Sequence, residues 1–344
     1  MVKPFILSSL TKLTVLTDND ISKGFFNIPQ LRLKANCDPE KSHSLVFVAL
    51  CIAALFSIDH VDNASSQEEN KTNVKGCNCV VFRLDDVQDD FVDSAQVAAM
   101  NIFIERNQSL SLGIIMNDIG KDLRITGKVG EGSQIGLFEM GIHGWDHIDY
   151  TNLSESEQRV SLSMANEKMN SIFGNTSDIF VPPYGYFDNN TLLAMDQVGI
   201  RILSAALFSE LNFDRGNSIF NYSHASNTYG NNTLDFFGSA PIHVPALVAY
   251  KEYENGIPIK NSTSLILEGI RGNIQLYGYS VVVFHPQDFI NTNADGKIAE
   301  GDQLNMTEVD EFAQLVDSVL SNNMRIATLS EVVGVDRRNY SYFN

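Results

Sequence analysis

From Cys79 onward, short apolar runs alternate with stretches in which apolar residues recur at three- and four-residue spacing. The runs Val80–Leu84, Leu112–Met116, Leu137–Ile142, Ile179–Val181, Ile200–Leu203, Val281–Phe284 and Arg325–Thr328 read as strands. Between them, 94–106, 155–173, 189–198, 263–275 and 307–322 carry the helical period. Helix starts are signalled at Asp93/Ser94, at Ser154 with Glu157 three residues on, and at Thr307 with Asp310. Strands alternating with helices predict a parallel sheet with crossover helices, open or closed into a barrel. The stretch 205–262 is rich in Asn, Ser and Gly with weak periodicity, and reads as a long insertion or irregular section.

One apolar run stands apart. Leu45–Ile58 is uncharged and 14 residues long, short of the roughly 20 residues that a bilayer span needs. It suits a secretory h-region, with Lys34 and Lys41 as a weak positive flank and Ala64, Ser65 and Ser66 beyond it. Because 44 residues precede it, a short membrane anchor is the other reading. Sequons begin at Asn63, Asn70, Asn107, Asn152, Asn175, Asn189, Asn221, Asn231, Asn261, Asn305 and Asn339, all after this run, as in a glycosylated exported domain. The chain thus divides into an extension (1–44), a signal-like or anchor segment (45–58), a polar linker (59–76), a globular domain (77–335) and a tail (336–344). An extracellular or cell-surface location is expected, with membrane anchoring through Leu45–Ile58 as one route.

Composition narrows the function. Hydrophobic residues make up 44% of the 344 and charged residues 19%, which is globular. The formal charge of −18 argues against nucleic acid, whose phosphates require a dense Lys/Arg face. Four cysteines, at 37, 51, 77 and 79, do not make a disulfide scaffold. Cys77 and Cys79 are two apart, a spacing that closes a disulfide only with strain, so unpaired thiols are expected.

Four of the apolar runs end in reactive side chains: Asp85-Asp86, His143-Gly-Trp-Asp-His147, Pro182-Pro-Tyr-Gly185 and His285-Pro286. In parallel α/β architectures the carboxyl ends of the strands share one rim, where active sites form. His143 and His147, four apart, can chelate a divalent ion, and one carboxylate completes a set with open positions. The second carboxylate can then take a proton from a metal-bound water, and His285 can protonate a leaving group.

These residues, in this order, resemble the polysaccharide deacetylase family (carbohydrate esterase family 4). Its T-F-D-D motif is similar to Arg83-Leu84-Asp85-Asp86, and its H-[ST]-x-x-H to His143–His147. Its R-x-P-Y-G resembles Val181-Pro-Pro-Tyr-Gly185, and its L-x-H resembles Val283-Phe-His285. The resemblance covers about residues 79–333. It implies a distorted (β/α) barrel and a divalent metal, usually zinc, held by Asp86, His143 and His147. It further implies Asp85 as general base, His285 as general acid, and a backbone N–H of Tyr184 on the oxyanion. The reaction implied is removal of acetyl groups from N-acetylated (or O-acetylated) carbohydrate. A glycan-binding protein on this scaffold that has lost turnover, or a hydrolase of another non-peptide C–N bond, are the alternatives.

Three departures bear on that reading. Val181 stands where the family has an arginine that pairs with the base carboxylate, which predicts a less firmly oriented Asp85. Gly144 replaces the Ser/Thr that steadies the metal loop, and the family's Asp/Trp motif has no clear match in 205–240. Trp145, the only tryptophan, is a candidate sugar platform or core residue, while His224 and His243 are assigned surface or structural roles. Asn291–Asp302 has the oxygen spacing of a calcium loop, though a plain turn is the stronger expectation.

Overall fold

The computed structural model describes residues 77–207, 223–224, 241–299 and 301–334. The expectations for 1–44, 45–58, the linker up to residue 76 and the tail at 336–344 lie outside the described residues. Among the described residues, no helix is long and apolar enough to cross a membrane.

Near-continuous apolar strands, flanked by helices, need cover on both faces, and that is how they sit. In chain order the strands are β1 (Cys79–Val87), β2 (Leu110–Ile114), β3 (Phe138–Ile142), β4 (Ile179–Phe180), β5 (Ile202–Leu203), β6 (Ser223–His224), β7 (Ile242–His243), β8 (Val248–Ala249), β9 (Lys251–Glu254), β10 (Ile257–Lys260), β11 (Tyr279–Phe284) and β12 (Arg325–Ala327). The helices are α1 (Asp93–Glu105), α2 (Leu123–Gln134), α3 (Glu155–Phe173), α4 (Asn189–Val198), α5 (Thr263–Tyr277), α6 (Met306–Ser321) and α7 (Leu329–Val332). The main sheet runs β6-β7-β5-β4-β3-β2-β1-β11-β8, with β12 on β1, and β9–β10 form a separate antiparallel hairpin.

The main sheet curls into a distorted (β/α) barrel. Two of its strands lie within 241–254, part of the stretch that the sequence reads as an insertion. Ile242 and His243 pair with β5, and Ala246 bridges Ala206. Val248 and Ala249 then pair with β11 at the other end of the sheet. One short segment therefore contributes strands near both ends of the sheet. Its pairs are only two residues long, which is why no strand period shows in the sequence.

α2 is a second difference. Its sequence, LRITGKVGEGSQ, holds Gly127, Gly130 and Gly132, each costing about 1 kcal/mol in a helix against Ala, so propensity conceals it. Gly132 has a packing reason: a Cβ there would lie 2.0 Å from the Phe138 ring on β3. Helix α3 starts at its expected capping box, Ser154 with Glu157.

The core centres on aromatic rings between β1, β11, α1 and α6. Phe284 and Phe312 lie 4.4 Å apart, Phe82 and Phe103 5.4 Å, and Tyr250 is 4.9 Å from Phe312. At the opposite end from the reactive rim, buried Glu139 accepts from Ser111 Oγ (2.9 Å) and from the Leu329 and Ser330 N–H groups that open α7. Cys77 and Cys79 are joined in a disulfide, contrary to the expectation of free thiols. Asn78 between them takes φ 48°, and this left-handed turn brings the two Cα atoms to 5.1 Å.

Candidate functional site

β1 should alternate its side chains, sending Asp85 and Asp86 to opposite faces. It does not, because the register against β2 shifts between Leu84 and Val87 and Asp86 adopts φ 60°. This bulge aims both carboxylates at the carboxyl-end rim of the barrel. A cleft of about 510 Å³ opens there, lined by Asp85, Asp86, His143, His147, Tyr184 and His285 among others.

Ligand atoms of Asp86, His143 and His147 all lie within 4.8 Å of one another. His143 Nε2 and His147 Nε2 each stand 3.2 Å from Asp86 Oδ1. His143 Nδ1 is 2.7 Å from the Val181 carbonyl, which can only accept, so the ring proton sits on Nδ1. In the neutral ring Nε2 is then a lone pair facing a carboxylate oxygen. Two acceptors at that distance require a proton or a cation between them. Burial pushes the Asp86 carboxyl up, but the His143 and His147 side chains beside it and the His285 charge outweigh burial and hold it far below the usual carboxylate range. One anionic oxygen and two imidazole nitrogens converging this way fit a divalent cation. Gln287 Nε2 reaches Asp86 Oδ2 at 3.3 Å, tethering the second oxygen.

Asp85 is buried and firmly oriented, against the expectation drawn from Val181. Arg83, two residues earlier on β1, donates from Nε to Oδ1 (2.8 Å) and from Nη2 to Oδ2 (2.7 Å). Its Nη1 donates to the Ser204 carbonyl (2.8 Å) and Oγ (2.6 Å) just beyond β5. Ser204 Oγ in turn donates to the Val244 carbonyl at 2.8 Å. Both Arg83 and Asp85 are 4% exposed. Gly113 on β2 leaves the space for this carboxylate, since a Cβ there would be 2.9 Å from Asp85 Oδ1.

The loop after β3 is steadied in its own way. Gly144 has φ 82°, and a Cβ on it would stand 2.7 Å from the Asp146 carbonyl, so Ser or Thr does not fit. The Trp145 N–H instead donates to Tyr150 Oη at 3.1 Å, and that hydroxyl bonds Ser161 Oγ at 2.5 Å. Trp145 itself is half-buried against the core, with Lys168 Nζ 5.5 Å from its ring. Tyr184 is 56% exposed, at φ 60°, with its ring 4.7 Å from His147.

His285 follows β11. Its Nδ1 lies 4.0 Å from Oδ2 of Asp288, and its backbone N–H donates to the same oxygen at 2.8 Å. Asp288 is fully buried; burial pushes its carboxyl up, against the opposing pull of His285, Tyr253 and Lys251. Tyr253 Oη donates to Asp288 Oδ1 at 2.5 Å, and Lys251 Nζ to the Asp288 carbonyl at 2.5 Å. Sequence reasoning missed Arg83, Ser204, Gly113, Gln287, Tyr150 and Asp288. Only Arg83 and Gln287 carried a signal, being polar residues next to the reactive strand ends.

Other candidates resolve differently. Within the calcium-like stretch, residues 292–298 fold as a turn: Thr292 bridges Ile298, and Asn293 N–H donates to the Lys297 carbonyl at 2.6 Å. Asp302, at the final position of the calcium-like spacing, faces Ser94, accepting from its N–H (2.8 Å) and Oγ (2.5 Å). Asp90, Asp93 and Asp122 also converge, but Arg124 pairs with Asp93 and Asp122. His243 is buried, with its ring 5.3 Å from Phe187, and the side chain of His224 lies outside the described residues.

Residues 89–203 match the model of the family described as polysaccharide deacetylase. Over that third of its length the chain is similar to the polysaccharide deacetylase family. The matched span holds His143, His147 and Tyr184, and lies between Asp85-Asp86 on one side and His285 on the other. No curated protein matches the chain. Among solved structures, a CE4 family pseudoenzyme from Bacillus anthracis is 11% identical, with a TM-score of 0.48 over 76% of this chain and 66% of that one. The chitin deacetylase of the fungal pathogen Colletotrichum lindemuthianum is 16% identical, with a TM-score of 0.46 over 76% of this chain and 90% of that one. A family 4 acetyl xylan esterase from Clostridium thermocellum, solved with a cobalt ion, is 12% identical, with a TM-score of 0.43 over 74% and 90%.

Proposed function

We propose that this protein is a polysaccharide deacetylase family member, a metal-dependent hydrolase that removes acetyl groups from N-acetylated (or O-acetylated) carbohydrate. The observation that carries the reading is the meeting of Asp86, His143 and His147 beside a second, separately held carboxylate, Asp85. Asp86 and the two imidazoles would hold the cation, zinc by donor type. A bound cation supplies Lewis-acid polarisation of the acyl oxygen and makes water acidic enough to attack at neutral pH.

The remaining work falls to the chain. Asp85 accepts the proton of the attacking water as general base, its lone pairs fixed by Arg83. His285, across the cleft, donates a proton to the departing nitrogen or oxygen, and Asp288 holds it in place by accepting from its backbone N–H at 2.8 Å. Tyr184 contributes its backbone N–H toward the developing oxyanion. The exposed Tyr184 ring offers an apolar face at the edge of the cleft.

The departures at 144 and 181 favour a glycan-binding protein without turnover, whereas the Arg83–Asp85 and Trp145–Tyr150 contacts support turnover. The full-length protein should therefore be incubated with acetylated chito-oligosaccharides and an aryl acetate, with metal content measured in parallel. Acetate release by the wild type, abolished in Asp85→Asn with bound metal nearly unchanged, is the expected result. A protein that purifies gently without divalent metal refutes the mechanism, and binding without release supports the glycan-binding reading. We infer in addition that the protein is exported, on the strength of the apolar run at 45–58 and the sequons that follow it.

A further inference from the structure

We propose that Arg83 is the positioning residue for the base of this site, supplying from β1 itself the guanidinium that the family resemblance would place at position 181. The proposal rests on Asp85 being the base. Val181 is buried and apolar, so it brings no countercharge, while Arg83 uses all three of its nitrogens in a fixed arrangement. Two bonds run in parallel to the two oxygens of Asp85, which sets the plane of the carboxylate and not only its charge. The third nitrogen reaches Ser204, so the fork spans from β1 to the far side of the barrel.

Ser204 is itself held by the Val244 carbonyl, just after β7. The orientation of Asp85 therefore depends on residues 204 and 244, although neither carries chemistry. Buried salt bridges of this kind contribute little net stability, and their best-attested uses are in fixing geometry. Lysine would keep the charge and lose the parallel pair of bonds.

The test uses the full-length, metal-loaded protein. Arg83→Ala should lower kcat by about 100-fold, the scale of misplacing a reacting group by about 1 Å, with KM within about threefold of wild type. Bound metal should stay unchanged, and added guanidinium ion should restore about tenfold of the loss while sodium at equal concentration restores none. Should Arg83→Ala fail to fold, Arg83→Lys takes its place, with an expected kcat loss of about tenfold at unchanged metal content. Either folded variant keeping wild-type kcat overturns the proposal. If the wild type itself releases no acetate, the hydrolase reading fails alone. Arg83 and Asp85 are then compared by a double-variant cycle of Arg83→Lys and Asp85→Asn in urea. Coupling of about tenfold in the unfolding constant supports the held carboxylate, and additive effects overturn it.

Discussion

Gly113→Ala adds one methyl group to β2, at a residue that is not itself a proposed metal ligand, and places it against the base. The new Cβ would sit 2.9 Å from Asp85 Oδ1 and 3.5 Å from both Cα and Cγ of the same residue. Comfortable contact needs roughly 3.5 Å, so the oxygen must retreat by about 0.6 Å. An unrestrained carboxylate would simply rotate. This one is gripped at 2.8 and 2.7 Å by Arg83, so the shift is taken from the Nε–Oδ1 bond. Losing one charge-assisted bond costs about 1.5–3 kcal/mol, and overpacking of a tight site falls in a similar range of about 1–3 kcal/mol. For a displacement of a reacting group by about half an ångström, kcat should drop on the order of tenfold, with KM little changed. The assay is steady-state acetate release, with urea unfolding and metal titration on the same preparation. A loss of about 1–3 kcal/mol, unchanged metal affinity and the kcat drop together are expected. A variant that turns over within twofold of wild type, while Asp85→Asn is inactive, would falsify the claim that this carboxylate is rigidly placed.

Three further outcomes follow from the packing and the loop contacts. Phe312→Ala removes the ring that touches Phe82, Phe103, Tyr250, Phe284 and Phe289, and should destabilise by about 3–5 kcal/mol in urea without altering metal stoichiometry in the folded fraction. Tyr150→Phe leaves the Trp145 N–H without its acceptor and frees the His143–His147 loop, so the metal dissociation constant should rise by about tenfold, read by competition with a chelating dye. If the protein is exported through a glycosylating pathway, peptide mass spectrometry should find glycan on Asn107 and Asn152, which are exposed. It should find none on Asn261, whose Nδ2 is engaged with the Ala249 carbonyl at 3.0 Å.

Local chemistry marked the parts of this protein that repeat or terminate in a regular way. The periodic apolar runs that become β1, β2, β3 and β11 were plain because each strand must bury both faces, and that demand falls on every residue in turn. Capping at Ser154 and the reactive residues at strand ends were equally local. The sequence also showed which side chains have the chemistry to hold a cation.

Tertiary structure alone decided how those groups are supported. The two-residue strands β7 and β8 extend the sheet beside β5 and β11, pairings met in space and not along the chain. In helix α2 the glycine at 132 is required because Phe138 occupies the room that a side chain there would take. The arginine missing at 181 is replaced from 83, since a guanidinium needs only reach and direction to serve a carboxylate, whichever strand carries it. Periodicity and caps belong to neighbours in sequence; counterions and strand pairings belong to neighbours in space.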